Sequence, residues 1–251
     1  MKPARAALCA FVAAALGAAR LAAADAELTR LLADSDPFAT APSEMRVELV
    51  FSSPRGEARV PVEIWRKGEG LALVRFLAPR DLGKYVVRRD GDFYFLSPRA
   101  AEPVRLAPAL APAGGAALDA LLAVRPSRDY DVVTTSEHSG QVTFDLAARP
   151  GTPGAPRLRW VVSRGTRRPL RVEFRDAADA VERLVEFKAW RAGRRLEPAA
   201  IVAKEIARGS PPLEVEIVAI EERPVPAALF DLKDGSARAA LPPPQRPPEA
   251  L

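Results

Sequence analysis

Few residues in this sequence are of the types that carry chemistry. His138 is the single histidine, and it lies in the polar segment Ser136-Glu137-His138-Ser139-Gly140. Glu137 precedes it directly, but adjacent residues in a polar turn are a weak indication of general acid–base catalysis. A solvated turn histidine is the expected state. Common zinc sites need several histidines or cysteines, so His138 predicts no metal centre.

Sequence motifs for other reactions are missing as well. No Gly-x-Ser-x-Gly segment precedes a predicted helix, and the sequence has no phosphate-binding glycine loop and no dinucleotide fingerprint. Carboxylates are frequent on the charged strand faces, but no pair of them is singled out by its spacing. We therefore predict no catalytic residue, no metal ligand and no cofactor, and an enzyme is the weakest of the function classes.

The first 24 residues have the organisation of a secretory signal peptide. Lys2 and Arg5 give a positive start, residues 6–19 form an apolar run, and Ala22-Ala23-Ala24 forms a small-residue cleavage site before Asp25. The apolar run is shorter than the about 20 residues that a membrane-spanning helix needs. We therefore predict cleavage, not anchoring, and export from the cytoplasm.

The mature chain contrasts with this leader in cysteine content and charge. Cys9, the only cysteine, lies inside the leader and too early for a lipoprotein signal. Residues 25–251 can then form neither a disulfide nor a thiolate metal site. Removal of Lys2, Arg5 and Arg20 lowers the net charge from +5 to +2. Because the remaining charges are spread along strands and do not cluster, we expect no nucleic-acid partner.

Apolar and charged residues alternate over most of the mature chain. This period of two is typical of strands with one dry and one solvated face. Turn signals such as Asp90-Gly91 separate the alternating segments at fairly even spacing. The pattern predicts about eleven strands, at residues 44–51, 58–64, 71–78, 84–89, 92–96, 141–147, 157–162, 170–175, 181–188, 200–207 and 213–220. Such a series indicates an all-β barrel, half-barrel or sandwich.

Three segments depart from this alternation. Residues 25–34 predict a short amphipathic helix, and residues 116–124 predict another inside a Pro- and Gly-rich interruption over residues 103–128. Residues 235–251 are rich in proline and predict a disordered tail. The predicted organisation is a signal peptide at 1–24, one domain at 25–234 and a tail at 235–251.

Two groups of segments are distinctive as a set. The first comprises residues 76–85, 92–98 and 103–106, and the second comprises residues 168–174, 187–190, 198–206, 214–222 and the Leu-Phe-x-Leu ending at 229–232. By strand order, turn placement and this ending, residues 27–232 resemble the outer-membrane lipoprotein-sorting proteins, the LolA/LolB-like superfamily.

The resemblance implies a mainly β fold, an unclosed and curved antiparallel half-barrel with a few short helices as a lid. Residues 25–34 and 115–124 are the segments able to supply such lid helices. A hydrophobic cavity between sheet and lid would hold a lipid or the acyl chains of a lipoprotein. The implied function is a periplasmic carrier, with an inner-membrane transporter or an outer-membrane receptor as protein partners.

Alternation supplies candidates for the walls of this cavity. It does not distinguish the inner from the outer face of a sheet, and the same side chains could simply fill a core. The candidate lipid-binding residues are Val47, Leu49, Phe51, Val62, Ile64, Phe93, Phe95, Leu158, Trp160, Leu170, Val172, Phe174, Val185, Phe187, Leu118 and Leu122.

A second hypothesis is a cargo-free accessory protein that docks on an envelope transporter or assembly complex. It predicts a filled interior and an exposed apolar patch or edge strand as the working surface.

The chain is longer than the lipoprotein carriers, and the arginine that locks their lid has no matched position here. The cargo therefore stays open between a lipoprotein, another lipid such as a hopanoid-like molecule, and the substrate of an export pump. We expect a monomer.

Overall fold

The computed structural model describes residues 25–37, 43–52, 59–68, 70–89, 92–100, 102–106, 124–152, 154–191, 197–209 and 211–242. Thirteen strands are formed by these residues: β1 (Glu44–Ser52), β2 (Arg59–Lys67), β3 (Leu71–Phe76), β4 (Tyr85–Arg89), β5 (Asp92–Leu96), β6 (Val104–Leu106), β7 (Tyr130–His138), β8 (Gln141–Ala148), β9 (Arg157–Ser163), β10 (Pro169–Arg175), β11 (Val181–Trp190), β12 (Pro198–Glu205) and β13 (Leu213–Glu222). The helices are α1 (25–34), α2 (Pro126–Asp129) and α3 (Ser236–Ala239), with 3₁₀ turns at Pro79–Asp81, Ile206–Arg208 and Ala227–Phe230.

All thirteen strands belong to one sheet, in the order β6-β5-β4-β3-β2-β1-β13-β12-β11-β10-β9-β8-β7. Strands β1 to β6 form one meander and β7 to β13 form a second, and antiparallel pairing of β1 with β13 joins the two. The end strands β6 and β7 do not pair with each other, so the sheet stays open. The prediction of a mainly β, unclosed and curved antiparallel half-barrel is confirmed.

The number of strands corrects the predicted count of about eleven. The two additional strands, β6 and β7, are the two edges of the sheet. Every residue of β7 after Tyr130 is exposed, and β6 has no buried residue. β7 has no covered face after Tyr130 and therefore no need of apolar–polar alternation, whereas β6 has only three residues and is too short for a period of two to identify it.

Side chains on the inner face of the sheet form the larger core. Direct cross-strand neighbours share a face, and one row across the sheet runs from Val47 through Ile64, Val74 and Val86 to Phe95. Helix α1 covers part of this face, and its Leu31 and Leu32 are buried in the same cluster. The fold therefore turns the alternation of the sequence into one dry inner face.

Polar contacts fix α1 to the neighbouring sheet. The indole Nε1–H of Trp160 donates to Ser35 Oγ, just after the helix, over 2.9 Å in a buried setting. At the exposed rim Arg164 forms an ion pair with Glu27 over 2.8 Å. Arg167, in the same turn, forms an ion pair with Asp34 over 2.6 Å. Exposed pairs contribute little to stability, so apolar packing and the Trp160 contact hold α1.

The C-terminal segment, residues 223–242, crosses the outer face of strands β2 to β5. Its Val225, Leu229 and Phe230 are buried against Trp65 and Leu73 of the sheet. This second, smaller core accounts for the Leu-Phe-x-Leu ending that the sequence displays. The half-barrel is thus covered on one face by α1 and on the other by its own C-terminal segment.

The start of the tail needs a correction. Residues 235–242 were predicted to be disordered, but α3 forms there and Arg238 is 5% exposed. The segment is held because Ala237 and Leu241 pack on the second core, and because Arg75 donates to the carbonyl of Pro242 over 2.7 Å. Residues 243–251 and the predicted signal peptide lie outside the described residues.

Within the described part of the chain, no helix is both long and apolar enough to cross a membrane.

Candidate functional site

The candidate site is the inner face of the half-barrel, where the structure brings most of the predicted residues together. Ten of the candidates belong to the inner core: Val47, Leu49, Val62, Ile64, Leu158, Trp160, Val172, Phe174, Val185 and Phe187. Phe51 packs against that core half-buried, and Phe93 and Phe95 share the same face through the strand register. Leu118 and Leu122 lie outside the described residues.

Leu170 is the candidate that the structure separates from the others. A bulge in β10 places Pro169, and not Leu170, opposite Val162 of β9. Leu170 is half-buried and does not belong to the inner core. A β-bulge shifts the alternation by one residue, and nothing in the alternating sequence predicts where such a shift occurs.

Burial on the inner face changes from one side of the sheet to the other. Under α1 the face is filled, with Val142, Phe144 and Leu146 of β8 at most 2% exposed. Across β2 to β6 most inner-face apolar side chains stay half-buried, among them Val60, Val74, Phe76, Phe93, Phe95 and Leu106. The apolar surface near β3 to β6 is therefore the part of the face that retains contact with solvent.

Val74 and Phe76 belong to this half-buried surface and were missing from the predicted set. Both lie on the alternating segment that the sequence assigned to a strand, at the positions that face Ile64 and Val62. The same period-two rule that selected Ile64 and Val62 could have found them. Their cross-strand partners, however, become known only with the register.

Aromatic rings form the other edge of the filled region. Trp160 meets Phe187 edge to face at 6.3 Å between ring centroids, and Phe187 stacks on Trp190 at 5.3 Å. The guanidinium of Arg168 lies over the Trp190 ring at 5.6 Å. Trp190 is missing from the predicted set because it is out of phase with Val185 and Phe187 in the sequence. Two shifts in the β11–β12 register near it are found only in the structure.

Charged residues lie mainly on the outer face, where they pair with each other. Burial opposes the charge of Arg46, but its hydrogen bond to Glu63 and the neighbouring carboxylates outweigh burial and raise the pKa of that guanidinium. Burial also acts on Asp145, yet the hydrogen bonds from Arg159 and Thr134 dominate in sum and lower its pKa. These two ionic groups are thus satisfied on the outer face, whereas Arg66 and Arg88 lie on the inner face, where both are cross-strand neighbours of Ala72.

The residues that first suggested chemistry show no arrangement for it. His138 is the exposed last residue of β7, next to a tight turn in which Ser139 and Gly140 have φ of 50° and 75°. No group of three or more His, Cys, Asp or Glu side chains among the described residues is placed to hold a metal ion. The inner face is lined mainly by apolar side chains, the residue type that predominates in the walls of ligand sites.

Comparison with known proteins supports this description at the level of fold. No family model and no curated protein matches the chain. A LolA superfamily protein from Nitrosomonas europaea has a similar structure, with a TM-score of 0.60 at 13% identity over 80% of this chain and 96% of that one. A DUF1329 family protein from Desulfovibrio piger gives a TM-score of 0.56 at 14% identity over 81% and 95%.

A third similar structure is described as an outer membrane lipoprotein-sorting protein domain, from Vibrio parahaemolyticus. Its TM-score is 0.52 at 14% identity, over 76% of this chain and 90% of that one. At sequence identities this low, the structural similarity establishes a shared fold and not a shared activity. The chain has the LolA-like half-barrel fold that these structures share.

Proposed function

We propose that the protein is a non-enzymatic periplasmic carrier that binds a lipid, or the acyl chains of a lipoprotein, on the inner face of its half-barrel. The observation that carries this proposal is the half-buried apolar surface of β2 to β6. A folded protein without a ligand would gain by covering such a surface. The neighbouring half of the same face is filled, so the contrast lies within one sheet.

An acyl chain has the chemistry to cover this surface. Each buried CH₂ group contributes about 0.8 kcal/mol, and the side chains of Val74, Phe76 and Phe95 offer no polar group that would need a partner. Apolar walls select for the aliphatic chain of a lipid and not for its headgroup. The proposal therefore specifies an aliphatic ligand and leaves its headgroup to experiment.

The first test is the identity of bound material. The mature protein is purified from its native periplasm without detergent, and an organic-solvent extract is analysed by mass spectrometry. A lipid present in stoichiometric amount supports the carrier and names the cargo. An empty extract, followed by failure to bind added fatty acid or phospholipid, contradicts it.

A pair of variants on one strand locates the ligand. Phe95→Gln places an amide on the inner face, whereas Tyr94→Gln makes a similar change on the opposite face of β5, where Tyr94 faces Val87. We expect Phe95→Gln to weaken binding of a fluorescent long-chain fatty acid by about tenfold, the equivalent of one or two lost CH₂-sized contacts. Equal loss in both variants would place the lipid elsewhere.

One observation favours a second candidate function, docking on an envelope transporter or assembly complex. Strand β7 is a nine-residue edge, and its Val132 and Val133 are 47% and 64% exposed. Counted from the two-residue turn, the strand register directs the backbone N–H and C=O groups of Ser136 towards β8. The same groups of Thr135 and Glu137 point outwards, away from the sheet. An extended segment of a partner protein could add to this edge as a further strand.

Docking is tested through the outward amide of Thr135. A photocrosslinker replaces Val133, and the same group at Ile206, also exposed at 47%, serves as the matched site. Docking predicts one defined partner adduct at Val133 that is absent at Ile206 and lost in Thr135→Pro, because proline removes an outward donor without cutting the ladder. An adduct that persists in Thr135→Pro contradicts strand addition.

A further inference from the structure

A cleft of about 370 Å³ lies on the outer face of strands β4 and β5, on the opposite side of the sheet from the candidate lipid-binding surface. One wall is formed by the sheet, through Tyr85 of β4 and Leu96 of β5. The opposite wall is formed by the C-terminal segment, through Leu232, Lys233 and Arg238. The volume is that of a pocket for a small molecule.

Arg238 gives the cleft a buried cation. Its side chain is 5% exposed, and one terminal nitrogen donates to the carbonyls of Leu229, over 3.2 Å, and Asp231. None of the carboxylates in the described part of the chain lies within ion-pair distance of Arg238. Buried arginines are normally paired with an anion, and a guanidinium has five N–H donors. Arg238 thus has donors left over for an anion in the cleft.

The two nearest aspartates are engaged elsewhere. The carboxylate of Asp231 accepts the backbone N–H groups of Lys233 and Asp234, which together hold its pKa below the usual range. Asp234 is bound in the same way to the backbone and hydroxyl of Ser236. Neither aspartate lines the cleft, so both modulate the field of Arg238 without neutralising it by contact.

The remaining lining is mixed in a way that suits an amphiphile. Lys233 adds a second, exposed cation at the mouth, and Glu102 is the single carboxylate there. Tyr85, Leu96 and Leu232 are half-buried and give the cleft an apolar side. The C-terminal wall carries the two cations beside Leu232, and the facing wall carries Tyr85 and Leu96. This arrangement complements a molecule with an anionic group on a short apolar body.

We infer that this outer cleft is a binding site for a small anionic amphiphile, a carboxylate or phosphate attached to a short apolar group. The anionic group lies between Arg238 and Lys233, and the apolar body lies against Tyr85, Leu96 and Leu232. Because such a ligand touches both the sheet and the C-terminal segment, its binding holds that segment on the sheet. The site is separate from the proposed acyl-chain surface.

Binding is measured on the mature full-length protein by calorimetry and by thermal unfolding. The probes are hexyl phosphate and hexanoate, with hexanol and inorganic phosphate as matched controls that carry only one half of the chemistry. We expect saturable millimolar or tighter binding of the two amphiphiles and a rise in Tm that grows with their concentration. Equal affinity for hexanol, or for inorganic phosphate alone, would overturn the inference.

Variants in the cleft assign the binding to this place. Ala239→Phe fills the cleft from the exposed face of α3 and should abolish binding, whereas Ala240→Phe, the next and equally exposed residue, lies outside the lining and should leave binding intact. Lys233→Gln should weaken binding by roughly threefold to tenfold, as expected for one charged contact. Arg238→Gln should abolish it.

The two sites can fail independently. Hexyl phosphate binding that survives Ala239→Phe but is lost in Phe95→Gln would mean that the probe enters the inner face, and it would overturn the inference while supporting the carrier. Loss in Ala239→Phe with unchanged binding of a long-chain fatty acid supports the outer cleft, whatever the fate of the proposed carrier function.

Discussion

At the scale of single residues, the outer face shows how this protein buries charge. Glu63 is 1% exposed and accepts hydrogen bonds from Arg46 Nε, over 2.6 Å, and from the indole of Trp65, over 3.0 Å. Arg75 forms an ion pair with the same carboxylate over 2.5 Å and continues to the carbonyl of Pro242. One glutamate thus compensates two buried guanidinium groups and links the sheet to the C-terminal segment.

Loss of that carboxylate should be costly. Glu63→Gln leaves Arg75 buried without a counter-ion, and breaking a buried pair in this way destabilises by about 3–5 kcal/mol. Glu216→Gln is the matched change in an exposed pair with Arg59 and should cost at most about 1 kcal/mol. Urea unfolding at neutral pH measures both variants. Equal effects would mean that the buried cluster adds no more than a surface pair.

Tyr130 provides a pH-dependent test at the same scale. Burial, with a smaller effect from Asp129, raises its pKa from 10.0 to about 12. In the unfolded chain the phenol ionises first, so its contribution is complete below pH 10 and is lost as the pH rises towards 12. The free energy of unfolding should fall by about 3 kcal/mol over that range.

Tyr130→Phe isolates this effect from all other titrations. The variant loses the hydrogen bond from the hydroxyl to the carbonyl of Ala155, 3.0 Å long, and should be about 1 kcal/mol less stable at pH 8. Its deficit should shrink above pH 10 and reverse near pH 11, as followed by urea unfolding of both proteins. A deficit that stays constant with pH would mean an unshifted tyrosine.

At the scale of elements, strands differ by their place in the sheet more than by their composition. β8 and β7 are hydrogen-bonded neighbours, yet β8 has three apolar side chains fully buried on the inner face and β7 has only Tyr130 buried. The difference arises because β7 ends the sheet and nothing among the described residues covers it. Exposed β-branched residues on such an edge favour pairing with another chain.

A pair of lysine substitutions tests this difference. Val133→Lys, on the exposed edge, should change the free energy of unfolding by no more than about 0.5 kcal/mol. Val142→Lys introduces a charge at a fully buried position of the inner core and should prevent folding or cost several kcal/mol. Thermal unfolding followed by circular dichroism measures both. A large loss in Val133→Lys would show that β7 is covered.

At the scale of the whole molecule, two cores lie on opposite faces of one sheet. The inner core spans strands from both meanders and holds α1, whereas the outer core holds only the C-terminal segment on β2 to β5. The pairing of β1 with β13 joins the two meanders into one sheet. Both cores include side chains of β2. Disrupting the packing of one core should therefore destabilise the other through this common strand.

The C-terminal segment should therefore stabilise the entire half-barrel. Phe230 is 2% exposed in the outer core, and Phe230→Ala should lower the free energy of unfolding by about 3–5 kcal/mol. Leu82→Ala, at a site 51% exposed, is the matched control and should have little effect. Circular dichroism and tryptophan fluorescence should shift together. Separate transitions would mean that the two cores unfold independently.

The sequence alone determined the features that depend on local pattern. Alternation and turn signals predicted the eleven strands that lie between the two edges of the sheet, and alternation predicted ten side chains of the inner core. The reason is that a period of two follows directly from strand geometry. The Leu-Phe-x-Leu ending was also recognisable, as one of the features on which the family resemblance rests. The lack of clustered histidine and cysteine was equally visible.

Only the tertiary structure decided what depends on neighbours. The edge strand β7 carries no alternation because it has almost no covered face, and the edge strand β6 is only three residues long. The bulge at Leu170 is a property of the β9–β10 register. Arg238 looks like a charge in a proline-rich tail until the segment folds back and buries it. The positions of α1 and the C-terminal segment decide which face of the sheet is the inner one and where that face stays partly exposed to solvent. No local sequence pattern contains this information.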